Sequence, residues 1–202
     1  MHTLIVTSHP NPDALTHAVA RHIAEGITST AAGAKAELAD LSAEGFDPRF
    51  NQDDMQGHQR LAPFPADVLA EQARLDRTTA LVLVFPVYWW SMPALMKGWI
   101  DRVFSNGWAY DDSSGQGVVK KLGHLSIHLV GLGGADQRTW HKRGYTDAMK
   151  TQIETGIFDY CGAPVLSSTL LLETDNGDAQ AHLQTAHALG QRIATLPGAA
   201  AH

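Results

Sequence analysis

The chain has 202 residues, 44% hydrophobic and 18% charged, which fits one domain, residues 1–202, able to bury a full sheet between helix layers. Its net charge of −6 offers no electrostatic attraction to nucleic acid or to an anionic membrane surface. The single cysteine, Cys161, excludes an intrachain disulfide and any Cys-based metal site, and no apolar run approaches the ~20 residues that span a bilayer; with no signal-peptide pattern at the N-terminus, a soluble cytoplasmic protein is expected.

Residues 3–8 form a short β-branched run that His9, Pro10, Asn11 and Pro12 end in a loop. Asp13 stands where an N-cap belongs, and Leu15, Ala18, Val19, His22, Ile23, Gly26 and Ile27 recur at helical spacing, which predicts a helix over residues 13–29. Residues 35–41 read as a second strand, and 42–66 as a long excursion with room for one short helix. A modest helix over 66–77 leads into 79–85, a run apolar on both faces as a central parallel strand is. Pro93 opens a helix over 94–104, with Leu95, Met96, Trp99, Ile100 and Val103 as its apolar stripe. Residues 105–121 read as a surface loop and 122–130 as a fourth strand, ending in Gly131, Leu132, Gly133 and Gly134. A helix over 145–160, a strand over 164–172 and an amphipathic helix over 176–196 complete the chain. Five strands alternating with helices predict an α/β fold, a doubly wound parallel sheet with helices on both faces. Ligands of such sheets collect outside the strand C-terminal ends, which singles out the loops starting at His9, Pro86 and Gly131.

The first of these loops feeds a helix N-terminus, whose free amides and positive dipole end favour a phosphate, although a Pro-rich turn capped by Asp13 would look the same. The second, Pro86-Val87-Tyr88-Trp89-Trp90-Ser91-Met92-Pro93, sets three adjacent aromatics just past a buried strand. All three cannot point inward. They suit either a planar heteroaromatic ligand or a hydrophobic cluster at a helix cap or dimer contact. Glycines 131, 133 and 134 let a backbone approach a ligand closely, but the spacing is not G-x-G-x-x-G, since Asp136 stands at the last position. Arg138, Trp140, His141, Lys142, Arg143 and Tyr145 follow, either a solvated basic loop or donors that stabilise developing negative charge. His124 and His128 lie four apart on an expected strand without a partner carboxylate, so no metal is assigned. Cys161 reads as a buried small residue, and no G-x-S-x-G elbow occurs.

Taken together, Ser8-His9-Pro10 with Leu15-Thr16, the run from Phe85 through Trp90 to Phe104, and Gly131-Leu132-Gly133-Gly134 resemble the NAD(P)H:quinone reductase (DT-diaphorase-like) family of flavodoxin-fold proteins, from residue 3 to about residue 172. The resemblance implies strand order 2-1-3-4-5, a tightly held flavin (FAD, with FMN the alternative), NAD(P)H as co-substrate and a quinone or related acceptor. It also implies two-electron ping-pong transfer in a homodimer with active sites at its interface. By the same resemblance His9, Ala14, Leu15 and Thr16 bind the flavin phosphates, residues Pro86, Val87, Tyr88, Trp89 and Trp90 cradle the ring edge, and Gly131, Gly133 and Gly134 meet its pyrimidine side. Asn51 matches a polar position that reaches the flavin, and Trp90 with Tyr110 walls the quinone and nicotinamide pocket. Mammalian members carry a Tyr and a His after the glycine loop; counting from Gly134 puts Thr139 or Trp140 at the first position and Tyr145 at the second. Tyr145, with His141 or Arg143 in reserve, is therefore the expected catalytic group. Two other classes share the fold, a regulatory flavin subunit of a potassium-efflux-type transporter and a flavodoxin-like electron carrier. The mild charge and the extended aromatic and glycine loops argue against the carrier.

Overall fold

The computed structural model describes residues 1–172 and 179–196. In chain order it holds β1 (His2–Thr7), α1 (Leu15–Thr30), β2 (Lys35–Asp40), α2 (Gln52–His58), α3 (Ala66–Asp76), β3 (Ala80–Pro86) and α4 (Ala94–Val103). There follow β4 (Tyr110–Asp111), β5 (Val119–Lys120), β6 (Ser126–Gly133), α5 (Gln137–Lys142), α6 (Tyr145–Met149), β7 (Val165–Leu172) and α7 (Ala179–Thr195). Helix α6 runs on as a π-helical stretch, Lys150–Asp159. Five strands pair in parallel in the order β2-β1-β3-β6-β7, the expected 2-1-3-4-5 when only the strands of the main sheet are counted.

The two-sided apolar character of β3 explains its central place. Leu81, Leu83 and Phe85 enter one core while Ala80, Val82 and Val84 enter the other, as a period of two requires. On the first face Leu75 of α3, Met96 and Trp99 of α4, and Ile153 and Phe158 of the π-helical stretch close the core. On the second, Val19, Ile23 and Ile27 of α1 meet Ala186, Leu189 and Ile193 of α7. Each fully buried side chain of this kind contributes about 1.5–3 kcal/mol. Helices α1 and α7 touch backbone to backbone at Gly26 and Gly190, where an added Cβ would run into the His187 or the Ile23 carbonyl of the facing helix. That contact fixes where the N-terminal turns of α7 lie over the sheet.

Four local expectations need correction. The fourth sheet strand starts at Ser126 rather than 122 and continues through Gly133, so Gly131 and Gly133 are strand residues. Leu122 and Leu125 are buried, but a turn at Gly123 and His124 separates them from the sheet; His124 therefore shares no strand face with His128. The 105–121 segment contains the antiparallel pair β4–β5, and the basic cluster after Gly134 is helical, as α5. Residues 176–178 of the expected last helix lie outside the described residues. The 42–66 excursion is held by a side chain the sequence did not mark. Arg102, 2% exposed, reaches Asp54 Oδ2 at 2.9 Å, Asp67 Oδ2 at 2.6 Å and the Asp47 carbonyl at 2.8 Å.

Candidate functional site

The parallel register places the ends of β1, β3 and β6 side by side, and two clefts open there. The first, with about 530 Å3 of empty space, lies between the β1–α1 loop, Pro86, the end of β6 and the start of α7. In its loop, Asn11 does the local work: its Oδ1 accepts from the Asp13 amide at 3.0 Å and its carbonyl from the Ala14 amide at 3.1 Å. Asp13 is thereby one residue too early to cap α1, contrary to the sequence expectation. The N-cap is Ala14, which has no side chain to offer. The Leu15 and Thr16 amides make no hydrogen bond to the described residues, so they remain available to a ligand beside the positive end of a 16-residue helix. His9, Ala14, Leu15 and Thr16 all line this cleft. His17 braces the loop from behind, its Nε2 3.3 Å from the His9 carbonyl.

The second cleft, with about 430 Å3 of empty space, lies between Val87, Trp89, Trp90 and Trp140, and it shares Gly133 and Gly134 with the first. Its aromatic wall is a strained turn. Tyr88 and Ser91 exchange both backbone hydrogen bonds, at 3.0 and 3.1 Å, and the two residues between them, Trp89 and Trp90, have φ of +50° and +63°. Two successive left-handed residues make the turn type that favours Asn-Gly, so a Trp-Trp pair there stores about 1–2 kcal/mol per residue. Trp90 is held by stacking on Tyr145, ring centroids 3.7 Å apart and 10° from parallel, and by an edge contact to Trp140 at 5.2 Å. Trp89 is held by nothing and is 93% exposed. The Trp89 and Trp90 amides have no partner among the described residues.

The glycines divide by role. Gly131, paired with Phe85, lines neither cleft; a Cβ there would press within 3.1 Å of Val87 and Leu170, so its smallness serves packing. Gly133 borders both clefts, and Gly134 has nothing within 4 Å of an added Cβ, which leaves the passage between them open. Trp140, 1% exposed, borders the second cleft with its indole Nε1–H unbonded. A buried donor without an acceptor costs about 1–3 kcal/mol and calls for a partner.

The remaining expected site residues are distributed unevenly. Tyr145 is one ring removed from the second cleft, behind Trp90, and His141 and Arg143 are exposed on or just after α5 and line neither cleft. Tyr110 packs edge-on against Tyr160 at 5.2 Å and lines a separate groove with Phe50, Ile100 of α4 and Phe104 just after it. Asn51 caps α2, its Oδ1 accepting from the Asp53 and Asp54 amides. Within one chain the fold does not bring these two to the strand-end clefts. Trp140 was expected only as one of a cluster of donors, with its unpaired N–H unforeseen, and His182, which reaches the first cleft from α7, escaped the sequence reading. A signal for His182 was present, since it stands on the apolar stripe of α7 at helical spacing from Ala186, Leu189 and Ile193. Among the described residues no acidic side chain lines either cleft. Among the described residues no group of His, Cys, Asp and Glu is arranged to hold a metal, and no helix is long and apolar enough to cross a membrane.

A family model described as a flavodoxin-like fold matches residues 1–193. The chain is 30% identical over 173 residues to an uncharacterized NAD(P)H oxidoreductase, YcaK, of Escherichia coli, covering 84% of this chain and 83% of the relative. It is 25% identical to NAD(P)H dehydrogenase [quinone] 1 of Rattus norvegicus, covering 96% of this chain and 76% of that protein. Among solved structures, an NAD(P)H:quinone oxidoreductase from Methanothermobacter marburgensis superposes with a TM-score of 0.81 at 24% identity, over 96% of this chain and 98% of the other.

Proposed function

The chain belongs to this flavodoxin-like family, and on that premise we propose that it is a flavin-dependent NAD(P)H oxidoreductase passing two electrons from NAD(P)H to a quinone or similar acceptor. The observation that carries the reading is the junction of the two clefts at Gly133 and Gly134. It joins an anion-binding end to a flat aromatic end, the two chemistries of a flavin phosphate ester. The residues fit that group. Free Leu15 and Thr16 amides answer the phosphate. Unpartnered Trp89 and Trp90 amides and the orphaned Trp140 N–H answer the polar edge of a planar ring.

A flavin held by these residues would supply the redox chemistry, two-electron transfer from NAD(P)H to a quinone in a ping-pong sequence. The chain's own part is binding and orientation. His9, Ala14, Leu15 and Thr16 would hold the phosphate end, Pro86 and Val87 would border the ring, and Gly133 and Gly134 would admit it without a Cβ in the way. Trp89 and Trp90 would wall the face against which donor and acceptor are oriented in turn, which supplies proximity. Tyr145, behind Trp90, and His141 are the proposed proton-holding groups. We assign FAD as the cofactor, with FMN as the alternative, and the cytoplasm as the compartment. Asn51 and Tyr110 act in the site of a second copy, across a homodimer interface, which accounts for their distance from the clefts of their own chain.

Purified protein is expected to be yellow, and mass spectrometry of the released cofactor identifies the flavin. Anaerobic mixing with NADPH should bleach the absorption in a single-exponential phase, and a quinone should restore it. Colourless protein that fails to bind added FAD or FMN overturns the reading.

A further inference from the structure

The N-terminal turns of α7 carry a group that the family resemblance did not supply. His182 is 5% exposed and makes no hydrogen bond, ion pair or ring contact with the described residues, yet it borders the first cleft together with Ala14, Leu15 and Thr16. Its ring nitrogens are not among the sealed, unpartnered polar atoms, so they open to the cleft and can meet a group placed there. The position of α7 is also fixed. The Gly26–Gly190 backbone contact, two turns further along the helix, fixes its position over α1. What faces His182 is therefore a preset space whose other donors are the two free α1 amides and the Thr16 hydroxyl, also without a partner among the described residues. Donors converge there from two elements far apart in sequence, and among the described lining residues His9 is the other titratable group and none is a carboxylate. Such a set is complementary to a phosphate oxygen and to little else.

We infer that His182 is a phosphate-binding residue of the cofactor site, donating a ring N–H to an oxygen of the flavin phosphate from the side opposite the α1 N-terminus. This rests on the flavin reading above. It makes the phosphoryl group, rather than the ring alone, the feature by which the site selects its cofactor, with α7 as the second jaw.

The test compares dissociation constants of riboflavin, FMN and FAD for the cofactor-free wild type, His182→Ala and His182→Gln, by quenching of flavin fluorescence. A charge-assisted hydrogen bond lost in the Ala variant weakens FMN and FAD about 10-fold or more. Riboflavin, which has the ring and no phosphate, should bind the wild type and the Ala variant equally and so reports that the variant is folded. Gln keeps an N–H donor and should recover a large part of the loss. Equal weakening of riboflavin and FMN in both variants, or an unchanged FMN affinity in the Ala variant, overturns the assignment while leaving the flavin reading intact. A wild type that binds none of the three flavins overturns both.

Discussion

Replacing Trp89 by Asn should stabilise the cofactor-free protein even though a large aromatic is removed. At φ +50° an L-residue other than Asn or Gly is held about 1–2 kcal/mol above its relaxed state. Asn tolerates this region because its short amide can bond locally. With 93% exposure, Trp89 returns almost nothing through burial, so the net gain is about 1 kcal/mol. For a chain of this length that is roughly a 3 °C rise in Tm. Trp90→Gly is the counterpart with the opposite sign. It relieves a similar strain at φ +63°, but it deletes the stack on Tyr145 and the edge contact to Trp140. Those contacts together with partial burial are worth about 2–4 kcal/mol, so this variant loses about 1–2 kcal/mol net. Urea denaturation of the two cofactor-free variants and the wild type, followed by circular dichroism, measures both differences. Flavin binding then shows what the strain is for: the stabilised Trp89→Asn variant should bind more weakly, since it has lost a wall of the second cleft. If both variants are destabilised alike, the turn is not strained in the way its dihedral angles imply.

The other expectations separate packing from ligand binding. Arg102→Met leaves Asp54, 0% exposed, without its cation and should cost about 3–5 kcal/mol in urea denaturation, whereas a loss below 1 kcal/mol would show that the Asp54–Arg102–Asp67 clamp is dispensable. His128 is buried beneath α7, and burial, with a smaller push from Arg192, holds its imidazole down to about 4. Its neutral form is favoured in the folded state, so the stability it provides is present above the unfolded value near 6.5 and is lost as pH falls from 6.5 toward 4, by about 3 kcal/mol in all. A His128→Phe variant should show a shallower fall in stability over that window, and an equally steep one would remove His128 as the cause. Trp140→Phe deletes a buried donor that has no acceptor in the chain, so cofactor-free stability should hold or rise by up to about 1 kcal/mol while flavin affinity drops several-fold. A variant that loses stability and keeps affinity would mean that the indole N–H serves the fold alone.

What the sequence revealed, and what it did not, follows the range of the interactions involved. Local chemistry was readable: the doubly apolar run of β3, the prolines after β1 and the helical spacing of α1 each point to their element without reference to a neighbour. Boundaries decided by packing were not. Leu122 and Leu125 look like the first residues of a strand, yet they reach the core from a turn, because the Leu122 amide bonds the Cys161 carbonyl rather than a sheet neighbour. Asp13 resembles a cap more than Ala14 does, but Asn11 takes the loop hydrogen bonds first and moves the helix start by one residue. Helical spacing places His182 on the buried stripe of α7, and Trp140 stands among the expected donors, but that both lack a partner among the described residues is something no periodicity records.

The strain in the Trp89–Trp90 turn belongs with those omissions. A sequence with Asn-Gly at these positions would announce a tight turn, and folding stability alone would favour it. Keeping two tryptophans in left-handed conformations, one of them almost wholly in solvent, is tolerable only if the turn is repaid by something that is not part of the chain. The same holds for a helix start left uncapped at Ala14, for an indole donor sealed in beside Gly133 and for an imidazole facing Leu15 and Thr16 across an open space. Each is a local defect in the isolated chain. All four lie around one continuous cleft at the C-terminal edge of the sheet, and a single planar ligand with a phosphate at one end would relieve them together.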